Sequence, residues 1–434
     1  MRALVFLLLV ALAFFLVLEF YPSSAVQGAP VPGEVVEQGP DDVTADSAVP
    51  RGFVERPALP EPEIPVEQPA EAIPGWLDGV EPPAPVFEFE VPLAVAMLRG
   101  TSSDVARAAS AAEADAPVRA LMARSYALAR SGKAREGLRE AGRIEETRLS
   151  DLERRLLQEA LGGAEVPIRS IRSEFAESPL TLAMAMGNAE RRAQAAARER
   201  RYREAAELVS ELLLAELDAP WKADVASMAR WTELLNDVQR NHRWHPKGDW
   251  PAAELTVQPG DTAIAVRKRY LAKHPGRVMC AGLILRSNAV SGYLQAGQRL
   301  RVPTEPVRML VDLEARWALY LMGEEVAGSW PVGIGRAGEE TITGVFTAGN
   351  KLENPPWMKV GQEMVPFGSP ENPLGTRWIG WFADGVKTSY GFHGTWEPES
   401  IGHPSSDGCV RFRNADVEVL FEILPEGSPI LVRP

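Results

Sequence analysis

The sequence predicts a multidomain chain. Its C-terminal part is all-β, a sandwich or partly closed barrel, preceded by a small α+β module, an α-helical region and a disordered N-terminal tether. Three observations predict this. Residues 22–92 hold 15 of the chain's 36 prolines. From 93 to 245 the texture changes to Ala, Leu, Arg and Glu, with apolar residues recurring at helical spacing. Beyond residue 306, short runs rich in branched and aromatic residues are separated by polar or Gly-containing turns.

The chain opens with Arg2, an uncharged apolar run over residues 3–18, and Glu19. That run is longer than the usual core of a cleaved signal and shorter than the roughly 20 residues that span a bilayer. Phe20 and Tyr21 favour a membrane interface and hence a retained anchor, while Ser23, Ser24 and Ala25 offer small residues suited to cleavage. Residues 1–21 are therefore expected to be a signal anchor or signal peptide. Either way the body is exported to the cell envelope or periplasm, with the membrane as a partner of the N-terminal segment.

Between 22 and 92, 14 acidic residues face only Arg51 and Arg56, which places −12 of the chain's −13 net charge here. Many prolines, like charges and few apolar clusters cannot offset the entropy of ordering, so this linker is expected to be extended and disordered. At polyproline spacing its reach is at most roughly 200 Å. The rest of the chain is almost neutral, which argues against a nucleic-acid partner.

Residues 93–245 read as helical hairpins. Leu121, Met122, Tyr126 and Ala129 share one face, Ser131-Gly132-Lys133 breaks the run, and Leu138 and Ala141 restart it. A second unit carries an Ala-rich helix through Ala197, a charged break at 198–201, and then Tyr202, Ala205, Ala206, Val209 and Leu213. Both units resemble tetratricopeptide (TPR) hairpins, which implies a spacer or a docking surface for a protein partner rather than a catalyst.

Residues 255–303 fit the order strand, helix, helix, strand, and Gly260 and Asp261 suit a tight loop before the first helix. Through Val257-Gln258-Pro259-Gly260-Asp261-Thr262, Asn288, and the stretch 294–303 with Gly297-Gln298, this segment resembles the LysM module. The resemblance implies a shallow groove for N-acetylglucosamine-containing glycan strands, with Gly260, Asp261, Thr262 and Asn288 as the glycan-binding candidates. Ala263 stands where that family usually has leucine.

In the last segment, 306–434, residues 307–313, 317–322, 326–332 and 343–348 read as strands. Asn414 reads as the cap of a helix over 415–424 whose Val417, Leu420, Phe421 and Leu424 share a face, and 430–432 returns to the sheet. Gly333-Ile334-Gly335-Arg336-Ala337-Gly338 fits the dinucleotide fingerprint, but residues 339–343 lead into a strand rather than a helix, so a turn is expected and no cofactor. Five histidines and two cysteines fall into no metal-ligand spacing, and no metal is expected. Cys280, in Val278-Met279-Cys280-Ala281, reads as a small core hydrophobe, with a bridge to Cys409 as the alternative.

The chemistry concentrates in His393-Gly394-Thr395 and Ser406-Asp407-Gly408-Cys409-Val410-Arg411. A cysteine attacks as its thiolate, and a nearby imidazole can take the thiol proton. Gly408 allows close approach to the backbone, so the N–H groups of Gly408 and Cys409 are candidates for an oxyanion hole. If Cys409 to Arg411 is extended, the guanidinium lies on the thiol's side and can hold a substrate carboxylate. Trp357, Trp378, Trp381 and Trp396 divide between core and cleft wall.

At these residues the chain resembles the L,D-transpeptidases with a YkuD-type catalytic domain, whose signature is H-G-T followed by S-x-G-C-[VI]-R. Thr343-Gly344-Val345-Phe346, Glu353-Asn354-Pro355-Pro356-Trp357, and Glu371-Asn372-Pro373-Leu374-Gly375 with Arg377-Trp378-Ile379-Gly380 match further segments of that family in order. The resemblance implies a cysteine acyltransferase that forms a thioester with the third residue of a peptidoglycan stem peptide and passes the acyl group to an amine. It implies Cys409 as nucleophile, His393 as base and acid, and the Gly394 backbone as orienter of the imidazole, with Gly408 beside the nucleophile. On the substrate side the candidates are Arg411, Ser406, Thr395 and Trp396. Asp407 stands where the family most often has histidine, and a buried carboxylate beside a thiol would disfavour the thiolate. His403 is the rival base. With water as acceptor the same cysteine would make a carboxypeptidase or endopeptidase, and the competing class is a non-catalytic wall-binding scaffold.

Overall fold

The computed structural model describes residues 90–434 apart from 115, 145–148, 164–177 and 359–362. The expected N-terminal segment 1–21 and the linker as far as residue 89 lie outside the described residues. Among the described residues no helix is long and apolar enough to cross a membrane.

Among the described residues eight helices come first: α1 (Glu90–Arg99), α2 (Ser102–Ala112), α3 (Pro117–Arg130), α4 (Ala134–Ala141), α5 (Asp151–Ala160), α6 (Pro179–Arg198), α7 (Tyr202–Leu217) and α8 (Val225–Gln239). Their starts are set locally. Thr101 with Asp104, and Ser150 with Glu153, form capping boxes for α2 and α5, while proline opens α3 and α6. The chain leaves α3 through Gly132 at φ +80 and leaves α6 through Arg200 at φ +62, within the two breaks read from the sequence.

A small module comes next, made of β1 (Ala252–Thr256), α9 (Ala263–Lys273), α10 (Ala281–Ser287) and β2 (Arg299–Pro303), with β1 and β2 antiparallel. It is mounted firmly on both sides. Arg301 donates to the carbonyls of Pro246, Gly248 and Trp250 in the segment after α8. On the other side Arg286 pairs with Glu422 at 3.3 Å, and Cys280 Sγ donates to the Glu422 carbonyl at 3.1 Å. Both cysteines are free thiols.

The remaining elements are β3 (Val307–Asp312), β4 (Trp317–Met322), β5 (Glu325–Pro331), β6 (Ile334–Gly335), β7 (Gly344–Glu353), β8 (Arg377–Ala383), β9 (Val386–His393), β10 (Pro404–Ser406), β11 (Val410–Arg411), α11 (Asn414–Ile423) and β12 (Pro429–Arg433). Eight strands form one sheet in the order β11-β9-β8-β7-β12-β3-β4-β5, and β6 pairs with β10 beside it. The sheet curls until its outer strands approach. Trp330 of β5 meets Phe412, just past β11, with ring centroids 6.1 Å apart, and Gly333 exchanges backbone hydrogen bonds of 2.9 and 2.8 Å with Arg411. The result is a curled half-barrel, which corrects the sandwich alternative: a single sheet bends on itself instead of two sheets facing each other. The fingerprint-like run 333–338 lies in β6 and the turn after it.

Every residue of β3 and β4 is buried. Because side chains alternate along a strand, that requires a cover on each face. One face places Met309, Val311, Ala318, Tyr320 and Met322 in a core shared with α11 and the small module. The other places Leu310, Trp317, Leu319 and Leu321, with Val326, in the core of the helical region. The helices are therefore a wall of the sheet, not a separate spacer. Their contact with the edge strand β5 is polar as well: the Val326 N–H donates to Ser210 Oγ at 2.9 Å, and Gln239 Nε2 donates to Glu325 Oε1 at 2.9 Å. Arg243, 3% exposed, donates to the same Glu325 carboxylate at 2.9 Å, and His242 lies 3.2 Å from its other oxygen. These contacts occupy an edge that would otherwise be open to pairing.

Candidate active site

Register brings the chemistry together. β11 runs parallel to β9 with Val410 opposite Phe392 and Arg411 opposite His393, which puts Cys409, one residue earlier, level with Gly391. Phe392 and Val410 point into the core and are fully buried, so Cys409, His393 and Arg411 share the opposite face. On the next strand Trp378 pairs with His393 and Gly380 with Gly391. The row holding the thiol therefore reads Gly380, Gly391, Cys409. Two missing side chains leave room on the sheet beside the sulfur.

Trp378 leans into that room. A Cβ on Gly391 would fall 2.8 Å from the indole, and the indole also stacks on the His393 ring with centroids 6.2 Å apart and planes 20° apart. The thiol receives the Gly391 N–H, and Sγ lies 3.8 Å from the Ser389 carbonyl. His393, 3% exposed, has Nδ1 2.6 Å from the Gly394 carbonyl. A carbonyl only accepts, so Nδ1 carries the proton and Nε2 is left as the acceptor, the tautomer a general base requires.

Burial pushes the Cys409 thiol up to about 11; the Gly391 N–H and Arg411 pull it down, and Asp407 adds a smaller rise. Burial also pulls the His393 imidazole down to about 4, opposed by the Gly394 carbonyl and helped by Arg411. The resting pair is thus neutral at pH 7, a thiol and an imidazole on one face of the sheet. The thiolate fraction then grows about tenfold per pH unit below the thiol's pKa, so alkylation of Cys409 by iodoacetamide, followed by peptide mapping, is expected to climb steadily from about pH 6 to about pH 10. A plateau between about pH 5 and pH 8 would mean a preformed ion pair and contradict this reading.

The other expected residues divide. Gly408 sits at φ +102 with the Tyr390 ring 2.6 Å from where a Cβ would be, so glycine is required there by the turn. Its N–H donates to Ser406 Oγ at 3.2 Å, which removes it from the oxyanion hole and leaves the Cys409 N–H as the candidate donor. Ser406, 1% exposed, also donates to the Cys409 carbonyl at 2.6 Å. It is corrected from a substrate contact to a staple of the turn. Thr395 is corrected likewise, being buried with Oγ1 accepting the Glu397 N–H at 3.0 Å. Trp396 stays half-exposed, its ring 5.9 Å from Phe367 on the β7–β8 connection, whereas Trp381 is core. Asn372 staples that connection by donating to the Pro355 and Pro366 carbonyls.

Arg411 pairs with Glu397 at 3.2 Å and faces the site. Asp407 forms an ion pair with Arg336, so its charge is largely compensated at the surface. His403 is exposed, and its backbone holds the loop through bonds to Ser400 and Ile334. In the small module, Asn288 is corrected from a glycan contact: it is 6% exposed, and its amide bonds Ile284, the Arg301 carbonyl and the Arg301 N–H. Asp261 accepts the Gln258 N–H and pairs with Arg269 at 2.7 Å. Thr262 caps α9, and Gly260 is exposed. Trp378 as the partner of His393, the Gly391 donor and Glu397 were not legible in the sequence; the paired glycines 380 and 391 were the available signal.

Residues 306–432 match the model of a family described as the L,D-transpeptidase catalytic domain, YkuD. A Bacillus subtilis protein carried under the L,D-transpeptidase name, YqjB, is 36% identical over 132 residues, covering 30% of this chain and 73% of that protein. Another from the same organism, YkuD, is 28% identical over 182 residues, covering 41% of this chain and 96% of that protein. Among solved structures, the NMR structure of the catalytic domain from E. faecium L,D-transpeptidase is similar at 26% identity and a TM-score of 0.24, covering 30% of this chain and 98% of that one.

Proposed function

The chain belongs to the L,D-transpeptidase family, and from that premise we propose that it joins peptidoglycan stem peptides through a thioester on Cys409. The observation that carries the mechanism is the shared face of Cys409, His393 and Arg411, with the imidazole tautomer fixed by the Gly394 carbonyl. Cys409 Sγ gives its proton to His393 Nε2 and bonds to the carbonyl carbon of the third stem residue. The developing oxyanion takes the Cys409 N–H. Collapse breaks the bond to the terminal D-alanine, whose nitrogen receives the proton from Nε2. An acceptor amine then attacks the thioester, its proton passes to Nε2, and the returning thiolate regains it. Arg411 is suited to the donor's terminal carboxylate because it presents a charged fork on the thiol's face.

The small module is proposed to hold glycan in the manner of LysM. Its strand-helix-helix-strand order and the exposed Gly260 and Thr262 support that reading, and the firm mounting through Arg301 and Arg286 suits a module that raises local substrate concentration. The apolar run 3–18 supports export and a membrane-proximal location. Incubating the protein with tetrapeptide stems and weighing the products tests the main reading. Cross-linked dimers with release of D-alanine are expected; shortened monomers alone would make the enzyme a carboxypeptidase, and unchanged substrate would favour the scaffold reading. Sedimentation with purified wall, unaffected by Gly260→Trp and Thr262→Trp, would reject the glycan role.

A further inference from the structure

Resting on the reading of Cys409 and His393 as a catalytic pair, we propose that Asn414 is a positioning residue for His393. The sequence marks Asn414 as a helix cap, but α11 has Arg413 as its N-cap and no side-chain cap bond. The Asn414 amide does something else. Its Oδ1 accepts the Thr376 N–H at 3.1 Å, which ties α11 to the turn entering β8. The same oxygen lies so close to the backbone of Gly375 and Gly394 that a Cβ on either would collide with it.

Three chain segments thus meet at one amide: the start of α11, the turn before β8 and the turn after β9. Gly394 is the residue whose carbonyl accepts from His393 Nδ1. Its own N–H donates to the Arg377 carbonyl at 3.2 Å, one residue from Thr376, so the backbone leading into the Gly394 carbonyl is tied to the strand entry that Asn414 holds. Phe412 N–H, just before α11, donates to the His393 carbonyl at 2.8 Å and closes the loop of contacts. Remove the Asn414 amide and the Gly394 peptide gains space to rotate. A rotated carbonyl no longer selects the Nδ1–H tautomer, and Nε2 is no longer held ready for the thiol proton.

The test combines a spectroscopic and a kinetic readout on the full chain. In ¹⁵N-labelled protein at neutral pH the imidazole of His393, assigned by its loss in His393→Gln, is expected to be the Nδ1–H tautomer. In Asn414→Ala it is expected to become a mixture, with kcat on tetrapeptide stems falling by up to about 10²-fold and KM little changed, since small misplacements of reacting groups cost that much. Asn414→Asp keeps the acceptor oxygen and adds a negative charge near the imidazole, so it should retain the tautomer while moving the acid limb of kcat/KM to higher pH. A single Nδ1–H tautomer and unchanged kcat in Asn414→Ala would overturn the proposal. If Asn414→Ala fails to fold, Asn414→Ser, with an oxygen on a shorter stem, is read by the same two outcomes. The tautomer is measured without substrate, so the proposal is decided even if the wild-type protein transfers no stem peptide.

Discussion

Replacing Cys409 by serine is expected to lower stem-peptide turnover by on the order of 10³-fold or more, and His393→Gln by about 10²- to 10⁴-fold, with the double variant little worse than the worse single one. Non-additivity is the informative part. The two side chains share one face through the register of β9 and β11, the placement expected of a nucleophile and base that act as a unit. Arg411→Ala should behave differently, raising KM for stems that end in a free carboxylate more than it lowers kcat, because the guanidinium lies beside the thiol without taking its proton. Steady-state kinetics on the four variants separates these cases. Additive losses for Cys409 and His393 would mean that they do not act together.

The second large effect concerns the helices. Cutting the chain to 306–434 exposes Leu310, Trp317, Leu319, Leu321 and Val326, which the helical region buries to 3% exposure or less. At about 1.5–3 kcal/mol per large apolar side chain, the loss is roughly 10 kcal/mol, the size of a whole domain's stability. The fragment is expected to aggregate or to unfold at far lower denaturant than the full chain. A finer probe is Glu325→Ala. Burial raises that carboxyl, but the His242 bond and Arg243 outweigh it and bring it down to about 2, so the group is a charged partner in the intact protein. Its removal leaves buried Arg243 with Glu305 as its remaining carboxylate and takes away its charged hydrogen bonds to Glu325, at a cost of about 1.5–3 kcal/mol. Urea unfolding of the variant decides; a loss under about 1 kcal/mol would show that the interface is held by its apolar contacts alone.

The candidate thiol and imidazole were legible because both sit in short contiguous motifs, and β3, β4 and β5 were legible because their branched and aromatic runs are long. The unbroken apolar run Trp317–Met322 even carried the signal that both faces of the sheet need a cover. What covers them was not legible, since pairing of the helices with β5 is a long-range choice expressed in single bonds such as Ser210 to Val326. β8 and β9 escaped notice because Gly380 and Gly391 weaken the strand pattern at the place where they open the cleft. Ser406, Thr395 and Asn288 carry polar groups that suit a ligand, yet each is satisfied by neighbouring backbone. Sequence position does not reveal which way such a group turns. Asn414 shows the same limit from the other side: a residue type that commonly caps helices instead joins three segments behind the imidazole.

One measurement bears most directly on the central claim that Cys409 carries the acyl group. The protein is mixed with a tetrapeptide stem lacking an acceptor amine, quenched in acid within the first turnover, and mapped by mass spectrometry. A tripeptide acyl adduct is expected on the peptide holding Cys409, absent in Cys409→Ser. Turnover with no adduct there, or an adduct on Cys280, would contradict it.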